Sequence, residues 1–172
     1  MRAEIVVISR RWGRAALLGI LFAVPTASIA APDAARGIGY CVDQASHDFR
    51  VPRVVILLIL DAEAGWVGAA SPNTNGSYDY GPMQVNSSWL PTFARFGITR
   101  DMLQNHACTN IYAGTWLLSK LMAEHTQIVD VIANYHSPTL KYQLQYLDLV
   151  RGKLVKRLIQ MEQDKRFVAA NR

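Results

Sequence analysis

Most apolar positions along the chain fall at three- and four-residue steps, the helical period. In "YCVDQASHDF" the residues Cys41, Ala45 and Phe49 share one helical face. Pro52 stands where a helix can begin, in a first turn whose N–H groups have no helical partner anyway. "RVVILLILDAEA", residues 53–64, is apolar nearly all round. A buried strand would look the same, but Pro52 in front and about twelve residues before Gly65 favour a helix. Beyond Ser87, Trp89, Phe93 and Phe96 share a face, with Gly97 as a stop. Thr99 is an N-cap for "RDMLQNH". "CTNIYAGTWLLSKLMAEH" carries a stripe of Ile111, Thr115 or Trp116, Leu118 or Ser119 and Met122. "QIVDVIANYHS" is a shorter helix ended by Pro138, and Leu140, Leu144, Leu147, Val150, Leu154 and Leu158 form the stripe of a last helix that closes the domain.

One segment breaks the pattern. "SPNTNGSYDYGPMQVN", residues 71–86, is polar and rich in turn formers, and it follows the most hydrophobic run of the chain. Asn75-Gly76 is a turn signal. No alternating run is long enough for a sizeable sheet. The expected fold is mainly α, a single domain with a short β-hairpin near residues 71–85.

The N-terminus changes the reading of charge. "MRAEIVVISRRWGR" is basic, "AALLGILFAVPTASIA" is apolar, and Ser28 and Ala30 suit a cleavage site, so residues 1–30 read as a secretory signal peptide. The apolar run before Pro25 is about ten residues, short of the twenty or so a membrane span needs. The twin Arg10-Arg11 lacks the apolar residues that a twin-arginine signal places after it, and Cys41 lacks a lipobox. The whole chain carries +5. Residues 1–30 hold four arginines and one glutamate, so the rest is near +2. That excludes a strongly basic nucleic-acid binder. Residues 31–38 read as a flexible mature N-terminus, 39–160 as the domain and 161–172 as a polar C-terminal tail. The mature chain, roughly 140 residues, can bury a core of its own. Export is disulfide-permissive, so the two cysteines, Cys41 and Cys108, read as one bridge rather than two free thiols. It closes a loop worth roughly 3–4 kcal/mol. The four histidines show no ligand spacing with the cysteines, so no metal is expected.

The apolar helix ends in "LDAEAG". Asp61 and Glu63 are two apart and point about 200° from one another, so one of them at most lines a given cleft. Two acids at a helix C-terminus face unfavourable local electrostatics. They are either ordinary exposed acids or one is held there for chemistry. Partial burial raises a carboxyl pKa, which suits a general acid. There is no phosphate loop, dinucleotide fingerprint or nucleophile elbow, and a bridged cysteine cannot serve as a protease nucleophile. The loop after Glu63 offers Asn73, Asn75, Ser77, Gln84 and Asn86 to sugar hydroxyls and acetamido groups. Trp66, Tyr78, Tyr80 and Trp89 offer flat faces to pyranose rings. The loop has no Lys or Arg for phosphates. A solvated surface loop is the plainer alternative, although long loops in compact domains are more often functional.

"AEAGW", "SPNTNGSYDYGPMQVNSSWLPTF", "CTNIYAGTWLL" and "ANYHSP", in this order and spacing, resemble the lytic transglycosylases of the soluble-transglycosylase type. More narrowly they are similar to the small specialised ones that accompany secretion, conjugation and pilus systems. The resemblance runs from Cys41 to about Val150. It implies a lysozyme-like α fold and non-hydrolytic cleavage of the β-1,4 bond between N-acetylmuramic acid and N-acetylglucosamine, in which the muramyl 6-hydroxyl attacks C1 and leaves a 1,6-anhydro end. It makes Glu63 the single catalytic acid and base, Gly81, Met83 and Gln84 the cleft-lining motif, and Tyr135 a neighbour of the catalytic carboxyl. Ala64 stands where the family has Ser, Pro82 where it has Leu, and His136 where it has Asn. The partners implied are peptidoglycan glycan strands and secretion or conjugation machinery. The enzyme would be a periplasmic monomer with no cofactor, metal or nucleic acid. A hydrolytic muramidase would instead use a second carboxylate, for which Asp79 is the one acid in the loop. An inactive peptidoglycan-binding scaffold is the non-enzymatic alternative. In the transglycosylase reading Gln84 and Tyr135 lie near Glu63, and Asp79 is not its partner across the scissile bond.

Overall fold

The computed structural model describes residues 37–171. The expected signal peptide, residues 1–30, and residues 31–36 of the expected N-terminal segment lie outside the described residues. Among the described residues there are seven α-helices and one small sheet. The first helix, α1 (Gly37–Phe49), begins within the stretch expected to be flexible and buries Cys41, Val42 and Ala45. Cys41 is bridged to Cys108 near the start of α5 (Ala107–Glu124). That bond ties two helices that already pack on each other.

The greasy run forms α2 (Arg53–Glu63), with Pro52 in front and Val55, Ile56, Leu58 and Ile59 buried. Its all-round apolar character follows from that position, with α1 on one side and α7 (Leu140–Ala170) on another. The polar segment is a sheet rather than a single hairpin. Strands β1 (Ala70–Pro72), β2 (Tyr78–Tyr80) and β3 (Val85–Asn86) pair antiparallel in that order. Ser71 faces Asp79 and Asp79 faces Asn86. Gly76 turns the first hairpin at φ +84°, and Asn75 Oδ1 accepts from the Ser77 N–H at 3.0 Å.

A 3₁₀ turn, Ser87–Trp89, leads into α3 (Leu90–Ala94). Thr99 caps α4 (Arg100–Asn105) through the Met102 N–H at 3.2 Å. Helix α5 runs through the core with Ile111, Thr115 and Leu118 fully buried. It packs against α6 (Ile128–His136), which packs in turn on α7. The α7 stripe closes the domain only in part. Val150 is buried and Leu147 and Leu154 are half-buried, but Leu140, Leu144 and Leu158 are exposed. The helix stays regular to Ala170, and among the described residues its last turns, the expected polar tail, are exposed. No helix of the described residues is long and apolar enough to cross a membrane.

Candidate active site

Helix α2 ends at Glu63 because Ala64 turns left-handed, at φ 50° and ψ 25°, while its N–H still closes on the Leu60 carbonyl. Gly65 then passes against the Gly81–Gln84 turn so closely that a Cβ there would lie 2.2 Å from the Gly81 oxygen and 2.7 Å from Gln84 Nε2. Only glycine allows that approach. The last residue of α2 is thereby pinned beside the motif turn. Asp61 points away, as two-residue spacing on a helix requires. It is clasped by Arg157 of α7, with Nη2 donating to Oδ1 at 2.8 Å and Nε to the other oxygen. One acid anchors α7 and the other is left for the cleft.

The Glu63 side chain is 13% exposed. The hydroxyl of Tyr146, on α7, donates to its Oε1 at 2.7 Å. His136 Nδ1, at the end of α6, lies 3.7 Å from the same oxygen. The imidazole stacks on the Tyr146 ring, with centroids 4.3 Å apart and planes within 1°. Burial, then the charge of Glu63 and the bond to it, push the Tyr146 hydroxyl far above its ordinary pKa, so it stays a donor. The interaction with Glu63 raises the His136 pKa; partial burial opposes this, and the charges of Glu63 and Asp79 add to it.

The Gly81–Gln84 turn is built for stiffness. Gly81 sits at φ +65° and Gln84 at +48°. Both the backbone N–H of Gln84, at 3.1 Å, and its Nε2, at 2.8 Å, donate to the Gly81 carbonyl. Asn110 of α5, fully buried, holds the turn from below. Its Oδ1 accepts from the Met83 N–H at 2.8 Å, and its Nδ2 donates to the carbonyls of Tyr80 at 2.7 Å and Leu103 at 2.8 Å. Tyr135 donates its hydroxyl to the Met83 carbonyl at 2.9 Å. Burial pushes that hydroxyl well up in pKa, with the charges of Glu63 and Asp79 adding to the effect.

A cavity of about 680 Å³ opens above these groups. Of the expected residues it brings together Glu63, Asn73, Asn75, Gln84, Asn86 and Tyr135. Tyr80, Gly81 and Met83 do not line it. Met83 is fully buried, packed where Gly114 lacks a side chain, and Tyr80 is 3% exposed. They lie beneath the cavity and support its floor, since the inward face of a paired strand and a tight turn belongs to the core. Asp79 does line the cavity, together with His136 and Tyr142. Its two oxygens accept from Asn86 Nδ2 at 2.7 Å and Asn73 Nδ2 at 2.9 Å. Ser77 joins the same network through both amides.

Two residues escaped the sequence reading. Asn110 had a signal, a lone amide in an apolar helical run. Tyr146 had none, because one residue further on Leu147 continues the apolar stripe. No three His, Cys, Asp or Glu side chains among the described residues are grouped to hold a metal ion.

The family model described as "Transglycosylase SLT domain" matches residues 40–143. Protein IpgF of Shigella flexneri is 25% identical over 133 residues, covering 74% of this chain and 88% of the relative. Invasion protein IagB of Salmonella typhimurium (strain SL1344) is 27% identical over 100 residues, covering 58% of this chain and 62% of the relative. The X polypeptide of Escherichia coli is 32% identical over 80 residues, 46% of this chain and 47% of the relative.

Proposed function

This chain belongs to the transglycosylase SLT domain family, and on that premise we propose that it is a peptidoglycan lytic transglycosylase with Glu63 as its one acid and base. The observation that carries the reading is a half-buried carboxylate at the wall of an amide-rich cavity, with one oxygen fixed by a tyrosine hydroxyl. In the first step protonated Glu63 gives its proton to the glycosidic oxygen as the C1–O4 bond breaks, and the N-acetylglucosamine end leaves as an alcohol. In the second the Glu63 carboxylate takes the proton of the muramyl 6-hydroxyl as that oxygen bonds to C1. The proton returns to where it began and no water is consumed. Tyr146 engages Oε1, which leaves Oε2 to carry the shuttled proton. Asn73, Asn75, Gln84 and Asn86 are the cavity amides suited to sugar hydroxyls and acetamido groups.

One observation favours a second reading. Asp79 lines the same cavity, and a pair of carboxylates is the usual equipment of a hydrolytic glycosidase. Both Asp79 oxygens are engaged by asparagine amides, however, which suits a residue that organises the sheet more than one that activates water. The biological setting we infer is the periplasm, where the enzyme opens the wall locally for a secretion or conjugation apparatus. The name of the relative IagB, an invasion protein, supports such a setting.

Purified protein on isolated peptidoglycan, with mass analysis of the fragments, tests the reading. Anhydromuramyl ends from the wild type and none from Glu63→Gln are expected. Reducing ends would establish the muramidase instead, and no fragments at all the binding scaffold.

A further inference from the structure

Among the described residues, His136 is the one side chain on the cavity wall able to carry a positive charge, and the proposed mechanism gives it no task. Its side chain is 42% exposed, yet it is not an unengaged surface histidine. Its ring lies flat on Tyr146, which turns Nδ1 toward the same Glu63 oxygen that Tyr146 holds. The other titratable groups of this neighbourhood are Asp79 on β2, Tyr135 on its own helix and Tyr142 and Tyr146 on α7. The tyrosines Tyr135 and Tyr146 are held neutral by burial, and Asp79 is held by amides. The group that His136 can exchange charge with at contact distance is therefore Glu63.

We propose that His136 is a positioning residue that competes with Glu63 for one proton: as an imidazolium it pairs with the carboxylate and keeps Glu63 in the ionised, acid-incompetent form. This rests on the assignment of Glu63 as the general acid. When the pair holds a single proton, it sits either on His136, which is silent for the first step, or on Glu63, which is competent. The exchange breaks one N–H bond and makes one O–H bond, and the proton count of the pair is unchanged. The coupling is reciprocal. The factor by which the carboxylate strengthens proton binding to His136 is the factor by which the imidazolium weakens proton binding to Glu63. The sign follows. Above the His136 pKa the imidazole is neutral and has no effect. As pH falls through that pKa, the rise in activity that protonation of Glu63 should bring is held back.

Two measurements on the full mature chain test this. In the first, NMR titration of histidine ring signals is compared between wild type and Glu63→Gln. The His136 pKa is expected above the ordinary value near 6.5 and lower in the variant. Equal values in the two proteins would overturn the coupling whatever the enzyme's activity, so that failure is separable from failure of the transglycosylase assignment. In the second, rate–pH profiles on peptidoglycan are compared between wild type and His136→Asn. Each profile is normalised to its own rate above the His136 pKa, where the imidazole is neutral. Below it His136→Asn should be faster, by a ratio that grows toward tenfold for every pKa unit lost in Glu63→Gln. A ratio constant with pH would show a merely structural role and overturn the proposal.

Discussion

The hydroxyl of Tyr146 reaches back 83 residues along the chain to donate to Glu63 Oε1 at 2.7 Å. This bond joins the first acid of the cleft to the helix that closes the domain. Eleven residues further along α7, Arg157 clasps Asp61. The two links fix how α7 lies on α2, and with it the direction of the Glu63 carboxylate.

Replacing Tyr146 by Phe removes the hydroxyl and keeps the ring that stacks on His136. A hydrogen bond to a charged group is worth about 1.5–3 kcal/mol. The expected outcome is a roughly tenfold to hundredfold fall in turnover with a thermal midpoint that moves by only a few degrees. Steady-state rates on peptidoglycan, with calorimetry of the same samples, check it.

Gly65→Ala places a methyl 2.2 Å from a backbone oxygen. Backbone cannot swing aside as a flexible side chain does, so either Ala64–Gly65 or the Gly81–Gln84 turn must shift. We expect a loss of about 1–3 kcal/mol, the usual range for overpacking. Muralytic activity should fall further than stability alone explains, because the shift moves Glu63 relative to Gln84. Denaturant unfolding alongside zymography separates the two effects, and a variant with full activity would remove the turn from the site's support.

Asn110→Ala leaves the Met83 N–H and the Tyr80 and Leu103 carbonyls without their buried partner. At about 1–3 kcal/mol for each unsatisfied buried group, with relaxation of the turn recovering part, a loss of at least ~3 kcal/mol is expected. Urea unfolding measures it. A change under about 1 kcal/mol would mean that the turn stands by itself.

Reduction of the Cys41–Cys108 bridge, or its replacement by a pair of alanines, releases a loop between residues 67 apart. The chain-entropy model gives roughly 3–4 kcal/mol. Since α1 and α5 also pack on each other beyond the bridge, the reduced protein should still fold, with a lower midpoint of denaturation and the same fragments from peptidoglycan.

Much of the fold is legible because helices are local. Pro52, Thr99 and Gly97 each act within one turn of chain, so caps and breaks can be read in order. The apolar character of residues 54–60 shows a central helix without showing its neighbours. The divergence of Asp61 and Glu63 is also local, set by 100° per residue, and it holds. The polar segment was harder. Its turn residues announce a hairpin, but β3 is only two residues long, too short for any alternation to reveal it. Which way Met83 and Tyr80 face is not legible, because a strand or turn residue near a cleft can face either way, and the choice depends on what packs beneath. Here Gly114 and Asn110 of α5 decide it.

The sequence by itself determined the helical class, the acid at the end of a greasy helix, the amide-rich loop that follows it and the motif order that marks the family, because each is a matter of composition or spacing within a few turns. Only the tertiary structure decided which hydroxyl holds Glu63, that His136 stacks beside it, and that Asp79 shares the cavity with its oxygens held by Asn73 and Asn86. Those relations join residues tens of positions apart, and they follow from how α6, α7 and the small sheet pack around α2. No local pattern encodes a distance across a core.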